Sequence, residues 1–452
     1  MPQYCGTEVK MHPGWLLKPN WKLKMKDMID RLMPPGLKSP LDFSLRLPAF
    51  EIATLKNGVQ VYQVNGGAED VIKIDWVFEA GNVFENKNGV AAATRELINS
   101  GTSNKSAYDI SNQFEYYGAY YSTAGFSENA VITVNSLTKH IGDLLSVVRE
   151  ILTDAAFPED EVALYKQNRI QRLKVYLKKS EFLADRLVNE ALFGADHPYG
   201  RKVEIEDIEK IDRESLIAFY KSYFQGGNCR IFVSGKFTEK VVSLLNEFFG
   251  DLKFTSKKKI TPAALHPMKE KVLHRVVNRE GVQGAIRLAR TFPVLTDPDY
   301  KPALVLNTLL GGYFGSRLMS NIREEKGYTY GIYSYIQHYP DVGVWQVATE
   351  AGRDVAEAAI EESFKEMKVL CETKVQDDEL KLVKNYMLGK RLASLDGPFK
   401  VMERIKGLVL NDVDQSFFEE TVEVIKGVTA DQLQELAVKY LQRKSFYNVL
   451  VI

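Results

Sequence analysis

The side chains that most often carry chemistry are thinly spread in this chain of 452 residues. Its six histidines, His12, His140, His197, His266, His274 and His338, never stand three or four positions apart, so no turn of helix can offer two imidazoles to one metal ion. Cys5, Cys229 and Cys371 are far apart and odd in number, which gives neither a disulfide framework nor a paired-cysteine zinc knuckle. No serine sits in a G-x-S-x-G elbow, and no G-x-x-x-x-G-K-[ST] loop is present to cradle a phosphate. Gly311-Gly312-Tyr313-Phe314-Gly315 lacks the G-x-G-x-x-G spacing and reads as a turn before a helix. These absences disfavour a hydrolase that is self-sufficient by another chemistry.

Composition narrows the class further. A hydrophobic fraction of 45% beside 26% charged residues is that of a globular chain, and 452 residues exceed what one core holds. Lysine plus arginine and aspartate plus glutamate both number 59, so the balance gives no sign of a nucleic-acid partner. No run approaches the roughly 18 apolar residues needed to span a membrane. MPQYCGTEVKMHPGW at the start lacks the charged-then-apolar order of a signal peptide. The expected compartment is the cytoplasm, or the periplasm if a leader has been removed.

The elements come in an order that is written twice. Strand-like alternation in ATLKNGVQVYQV and VIKIDWVFEAG leads to a helix-period segment from Asn88, then to the strand AVITVNS (130–136) and the helix IGDLLSVVREILTDA. The long amphipathic stretch EVALYKQNRIQRLKVYL follows, and RESLIAFYKSYF with NCRIFVSG closes the first half. GAIRLARTF, VGVWQVATE, VAEAAIEESFKEMKVL and DELKLVKNYMLGKRLASL repeat that order, and ADQLQELAVKYL with FYNVLVI closes the second half. Tyr223 and Tyr440, 217 positions apart, hold the same place in the two closing helices. So long a period means a duplicated domain. The expected fold is α+β: two homologous domains, each a mostly antiparallel sheet with helices packed on it. The expected boundaries are an N-terminal extension at 1–46, a first domain at 47–256 and a second at 257–452. SKKKITPAALHPM (256–268) is the linker, and MKDMIDRLM in the extension reads as a short helix docked on a domain.

Gly89-Val90-Ala91 and Gly101-Thr102, Asp196-His197-Pro198-Tyr199-Gly200, and SRLMSNIREEKGYTYG (316–331) stand in order within this duplicated chain. Over about 47–452 it resembles the pitrilysin/insulinase family of zinc peptidases, in its half-length branch that includes mitochondrial processing peptidase. Active members read GVAHxxEHxxxxGT, where the H-x-x-E-H motif sets two imidazoles one helical turn apart for zinc and a glutamate as general base. On that pattern the first histidine falls on Ala92, the base on Arg95 and the second histidine on Glu96. The third ligand, a glutamate on the long helix, falls on Arg172, with Gln171 beside it. A methyl group and two guanidiniums bind no zinc, and Glu96 alone is one ligand where a catalytic site needs three. The expectation is a degenerate site with no metal in this chain, in which Glu96 pairs with Arg172 or Arg95 and the ion pair bridges the two helices. His197 is expected to be structural.

The resemblance also implies a pair in the second domain, an arginine and a tyrosine seven residues apart that hold the substrate backbone. These are Arg323 and Tyr330, both able to donate to a peptide carbonyl or to an oxyanion forming on it. The bland reading is an exposed helix arginine before an ordinary strand, since GYTYGIYSY alternates. The function implied is that of a non-catalytic subunit of a heterodimeric zinc peptidase, inactive alone. It would bind an unfolded peptide and lend Arg323 and Tyr330 to the zinc site of a homologous partner that carries H-x-x-E-H. The alternative is a purely structural or assembly subunit of the same fold.

Overall fold

Alternation of apolar residues on both faces builds two sheets, one from each half of the chain. In the computed structural model, which describes residues 36, 38–254, 264–269, 271 and 273–452, the first sheet comprises β1 (Glu51–Thr54), β2 (Gln60–Asn65), β3 (Val71–Phe78), β4 (Tyr120–Gly125), β5 (Ala130–Leu137) and β6 (Cys229–Gly235). The second comprises β7 (Leu273–Val276), β8 (Gly284–Phe292), β9 (Thr329–His338), β10 (Gly343–Ala351) and β11 (Tyr447–Val451). Their orders are β1-β2-β6-β3-β5-β4 and β7-β11-β8-β10-β9, which coincide once β1 is set aside. In each, one parallel pair (β2 with β6, β7 with β11) precedes a run of antiparallel pairs. The duplication extends to register: Asp75 on β3 faces Phe232, and Arg287 on β8 faces Val449, 212 and 217 positions further on. The fold is α+β, as the repeated order of elements implied.

Each sheet has one face on helices of its own half and the other on a single helix from the opposite half. Ile72, Ile74, Trp76 and Phe78 of β3 point into the first-half core. The other side, through Tyr62, Val64, Val77 and Phe232, shares a core with Val401, Met402 and Ile405 of helix Pro398–Leu410. In return, helix Ser180–Phe193 lays Ala184, Val188 and Ala191 against Ala285, Ala289, Val449 and Val451 of the second sheet. Burial on both faces explains why the central strands are apolar almost throughout. At equivalent positions under the two crossing helices the charges are reversed. Asp75, 1% exposed, accepts from Lys406 Nζ at 2.7 Å, whereas Arg287 donates to Asp185 at 2.5 Å and Glu350 at 2.8 Å.

This exchange ties the halves into one compact unit, Pro40–Ile452. The unit begins inside the stretch read as an extension, because Leu45 and Leu47 are buried in the second-half core. The helix expected in MKDMIDRLM and most of the expected linker lie outside the described residues. Gly311 and Gly312 end a helix that starts at Tyr300, and the turn after them leads into the Met319–Glu325 turns. Among the described residues no helix is long and apolar enough to cross a membrane.

Candidate functional site

The stretch GVAAATRELINSGT forms helix Val90–Leu97, and its first turn is held by a carboxylate. Gly89 enters at φ 85°, a left-handed conformation that glycine adopts without strain. Glu85, its side chain 2% exposed, accepts the backbone N–H of Gly89 at 3.1 Å and of Ala91 at 2.8 Å, and receives Arg201 Nη2 at 2.7 Å. A negative group at a helix N-terminus satisfies donors that the helix cannot. Burial nonetheless pushes the Glu85 carboxyl above its ordinary pKa, with the backbone N–H bonds and Arg201 pulling the other way. Beyond the helix, Thr102 Oγ1 donates to Glu150 at 2.6 Å, and Gly101 O accepts from Ala156, fixing the Gly-Thr turn to the next layer. Val90, Ala91, Ala93, Thr94 and Leu97 are buried, which turns Ala92, Arg95 and Glu96 to the opposite, half-buried face.

Arg95 and Glu96 are paired with each other, Nη2 to Oε1 at 2.9 Å. The guanidinium lies on Gly125 at the end of β4, where a Cβ would stand 1.7 Å from Nη1. Ala80, Gly81, Asn82, Ala92, Phe126 and Ser127 line the rest of a cleft of about 370 Å³. Arg172 is not part of this group: it is exposed and makes no ion pair with a described residue. The ion-pair bridge between helices is therefore replaced by a pair within one helix. The long helix, Glu159–Tyr176, presents Tyr165 to the site instead, two turns before Arg172. Counting along the chain finds the right helix and misses the level at which it crosses. Burial pushes the Tyr165 phenol up to about 12, with the nearby Glu96 charge adding to it and Arg169 and Arg95 opposing.

Arg323 and Tyr330 are brought together in the second half. Arg323 lies in the last turn of the Met319–Glu325 segment, and Gly327 (φ 66°) reverses the chain into β9. Its Nε donates to Tyr330 O at 2.9 Å, its guanidinium stacks 4.6 Å above the Phe314 ring, and Nη1 is 3.5 Å from Glu324. Tyr330 is 89% exposed on an edge strand, its phenol without a hydrogen-bond partner among the described residues. Thr329 Oγ1, bonded to Glu350 O at 2.6 Å, pins the start of that strand. A guanidinium held in place beside a free phenol leaves both residues with donors to spare.

Both halves match known sequence families. Residues 65–203 match the insulinase (peptidase family M16) profile, and residues 210–387 match that of the peptidase M16 inactive domain. The chain belongs to the M16 family. It is 24% identical over 406 residues to an uncharacterized zinc protease of Rickettsia felis, covering 86% of this chain and 94% of that one. Against the mitochondrial-processing peptidase subunit beta of Rattus norvegicus it is 23% identical over 417 residues, covering 89% and 84%. The structure of the peptidase M16 inactive domain from Pseudomonas fluorescens superposes with a TM-score of 0.80 at 22% identity, over 89% of this chain and 98% of that one.

The zinc that an M16 peptidase uses does not fit the residues present. Ala92 has no donor atom, Arg95 brings a positive charge, and Glu96 is already committed to Arg95. Among the described residues no group of three or more His, Cys, Asp or Glu converges to hold a metal ion. His197 of the DHPYG turn is buried, and its Nδ1 accepts the Tyr199 N–H at 3.1 Å, a structural part as expected. Tyr199 then donates to Glu128 at 2.6 Å and packs on Tyr339 of the second half, 4.4 Å between ring centroids. Sequence reasoning missed Glu85, Tyr165 and Gly125. Of these only Glu85 left a signal, an acidic residue just ahead of a helix start.

Proposed function

We propose that this chain is the non-catalytic subunit of a two-chain M16 peptidase. It receives an unfolded peptide and presents Arg323 and Tyr330 to the zinc site of a homologous subunit. The observation that carries this reading is the contrast within one molecule. The site helix has turned its charges on each other at 2.9 Å, while Arg323, 3.5 Å from Glu324, keeps donors to spare beside the Tyr330 phenol, which has no partner among the described residues. Edge strands support the peptide part: β4 and β9 each leave one side of the backbone unpaired, as strand addition requires. Arg323, clamped by Tyr330 O and Phe314, can keep its remaining N–H groups aimed without the entropy cost of ordering a free side chain. Tyr330 supplies one O–H to a carbonyl oxygen or to the charge that grows on it.

The test is reconstitution. Purified alone, this chain should hold no stoichiometric zinc by elemental analysis and cleave no unfolded peptide. Mixed with a homologous chain that carries H-x-x-E-H, it should form a stable complex with peptidase activity absent from either part. A full equivalent of zinc with activity in the isolated chain would overturn the reading. A complex whose activity the partner already shows alone would make this chain a scaffold.

A further inference from the structure

The cleft beside the site helix carries a guanidinium at the position where the family pattern has its general base, and the geometry points to a carboxylate pocket that takes the C-terminal carboxylate of a bound peptide. The inference rests on the peptide-binding reading above and adds which part of the peptide is recognised.

Arg95 has five N–H groups in a planar fork, and its side chain is only 16% exposed. Glu96 takes one N–H, on Nη2. Among the described residues, Nε is buried with no hydrogen-bond partner and Nη1 makes no hydrogen bond. A largely buried cation with unmet donors is costly, and the local fold does not relieve it, since Gly125 offers only its bare backbone. The same cleft holds the complementary gap: Asn82 Oδ1 is buried without a partner among the described residues, while its Nδ2 is spent on Pro198 O at 3.1 Å. One unmet cationic donor edge and one unmet acceptor match the end of a peptide, whose carboxylate accepts and whose last amide N–H donates. Ala92 gives the room that a larger side chain would fill, and about 370 Å³ is the scale of a small-ligand cleft.

The test compares one peptide in two forms. A fluorescein-labelled, unstructured peptide of uncharged residues is made with a free C-terminal carboxylate and as the C-terminal amide, and each is titrated by anisotropy against the full chain. The acid should bind about ten- to a hundredfold more tightly than the amide, the scale of hydrogen bonds to a charged group. Arg95→Gln should bring the acid to the amide's affinity. Ala92→Leu should do the same by filling the cleft with the guanidinium intact, so the inference stays testable if the arginine variant folds poorly. Equal affinity of wild type for acid and amide overturns the pocket and leaves the peptide-binding reading standing. A thermal-shift arm with N-acetyl-dialanine and its amide separates the two claims. If only the short acid stabilises the chain while neither long peptide binds, the pocket stands and the peptide-binding reading falls. If no form binds in either arm, both fall.

Discussion

Helix Val90–Leu97 in the first half and the Met319–Tyr330 segment in the second each place an arginine on a half-exposed face beside an edge strand. In the first, Arg95 closes on its own neighbour Glu96. In the second, Arg323 is steered by a backbone carbonyl and an aromatic ring, its own neighbour Glu324 lies farther off at 3.5 Å, and a free phenol stands next to it. The scaffold around the first site is nevertheless complete: a buried carboxylate caps the helix, and the Gly-Thr turn is tied to Glu150. Chemistry there sits on a face that the core does not read. Ala92, Arg95 and Glu96 can change while Val90, Ala93 and Leu97 go on packing, so the helix is held whatever stands on that face.

That separation of scaffold from face can be broken or sharpened. The largest effect is expected where the halves hold each other. Lys406→Met would leave Asp75 buried with only Thr133 and the more distant Lys73 as partners. It should cost about 3 kcal/mol in urea unfolding, within the range for breaking a buried pair. Glu85→Ala should follow at about 2 kcal/mol, because two helix N–H groups and Arg201 lose their acceptor. Glu96→Gln, on the exposed side of the same helix, should cost no more than about 0.5 kcal/mol, as partly exposed pairs do. Similar losses from Glu85→Ala and Glu96→Gln would erase the distinction between scaffold and face.

The smallest effect is a pH dependence at the contact between halves. Burial, with Asp341 nearby, raises the Glu128 carboxyl above its ordinary pKa, against the Tyr199 hydrogen bond. A folded pKa above the unfolded one means that this group's stabilisation is full below its unfolded pKa and is lost as pH rises through the raised value. Acidification from neutral pH should therefore favour the folded state at this site. Glu128→Gln keeps an acceptor for Tyr199 and should remove that slope, with a Tm at neutral pH no lower than that of the wild type. Melting curves of both proteins from pH 4 to pH 8 check it.

The duplication was legible because register is carried by patterns that recur at a fixed offset, as Tyr223 and Tyr440 do. The site helix was legible because the glycines that flank it, Gly89 and Gly101, occupy backbone conformations that tolerate little else. Arg323 and Tyr330 were found together because only a short turn separates them. The crossing helices were not legible. Ser180–Phe193 carries an apolar stripe like any other, and nothing local says that the stripe is destined for the other half's sheet. Arg172 failed for a related reason, since the level at which two helices cross is set by tertiary packing.

The central claim is that this chain's contribution to hydrolysis resides in Arg323 and Tyr330, and the direct measurement is steady-state kinetics of the reconstituted complex carrying Arg323→Ala or Tyr330→Phe. Losing one aimed donor to a developing oxyanion typically lowers kcat by about 10²–10³, and Tyr330→Phe, which removes a single hydroxyl, should fall at the lower end with the complex intact by gel filtration. A rise in KM with kcat unchanged for Arg323→Ala would assign it to holding the substrate backbone instead. Wild-type kcat and KM from the double variant would contradict the account and leave this subunit as a wall of the chamber.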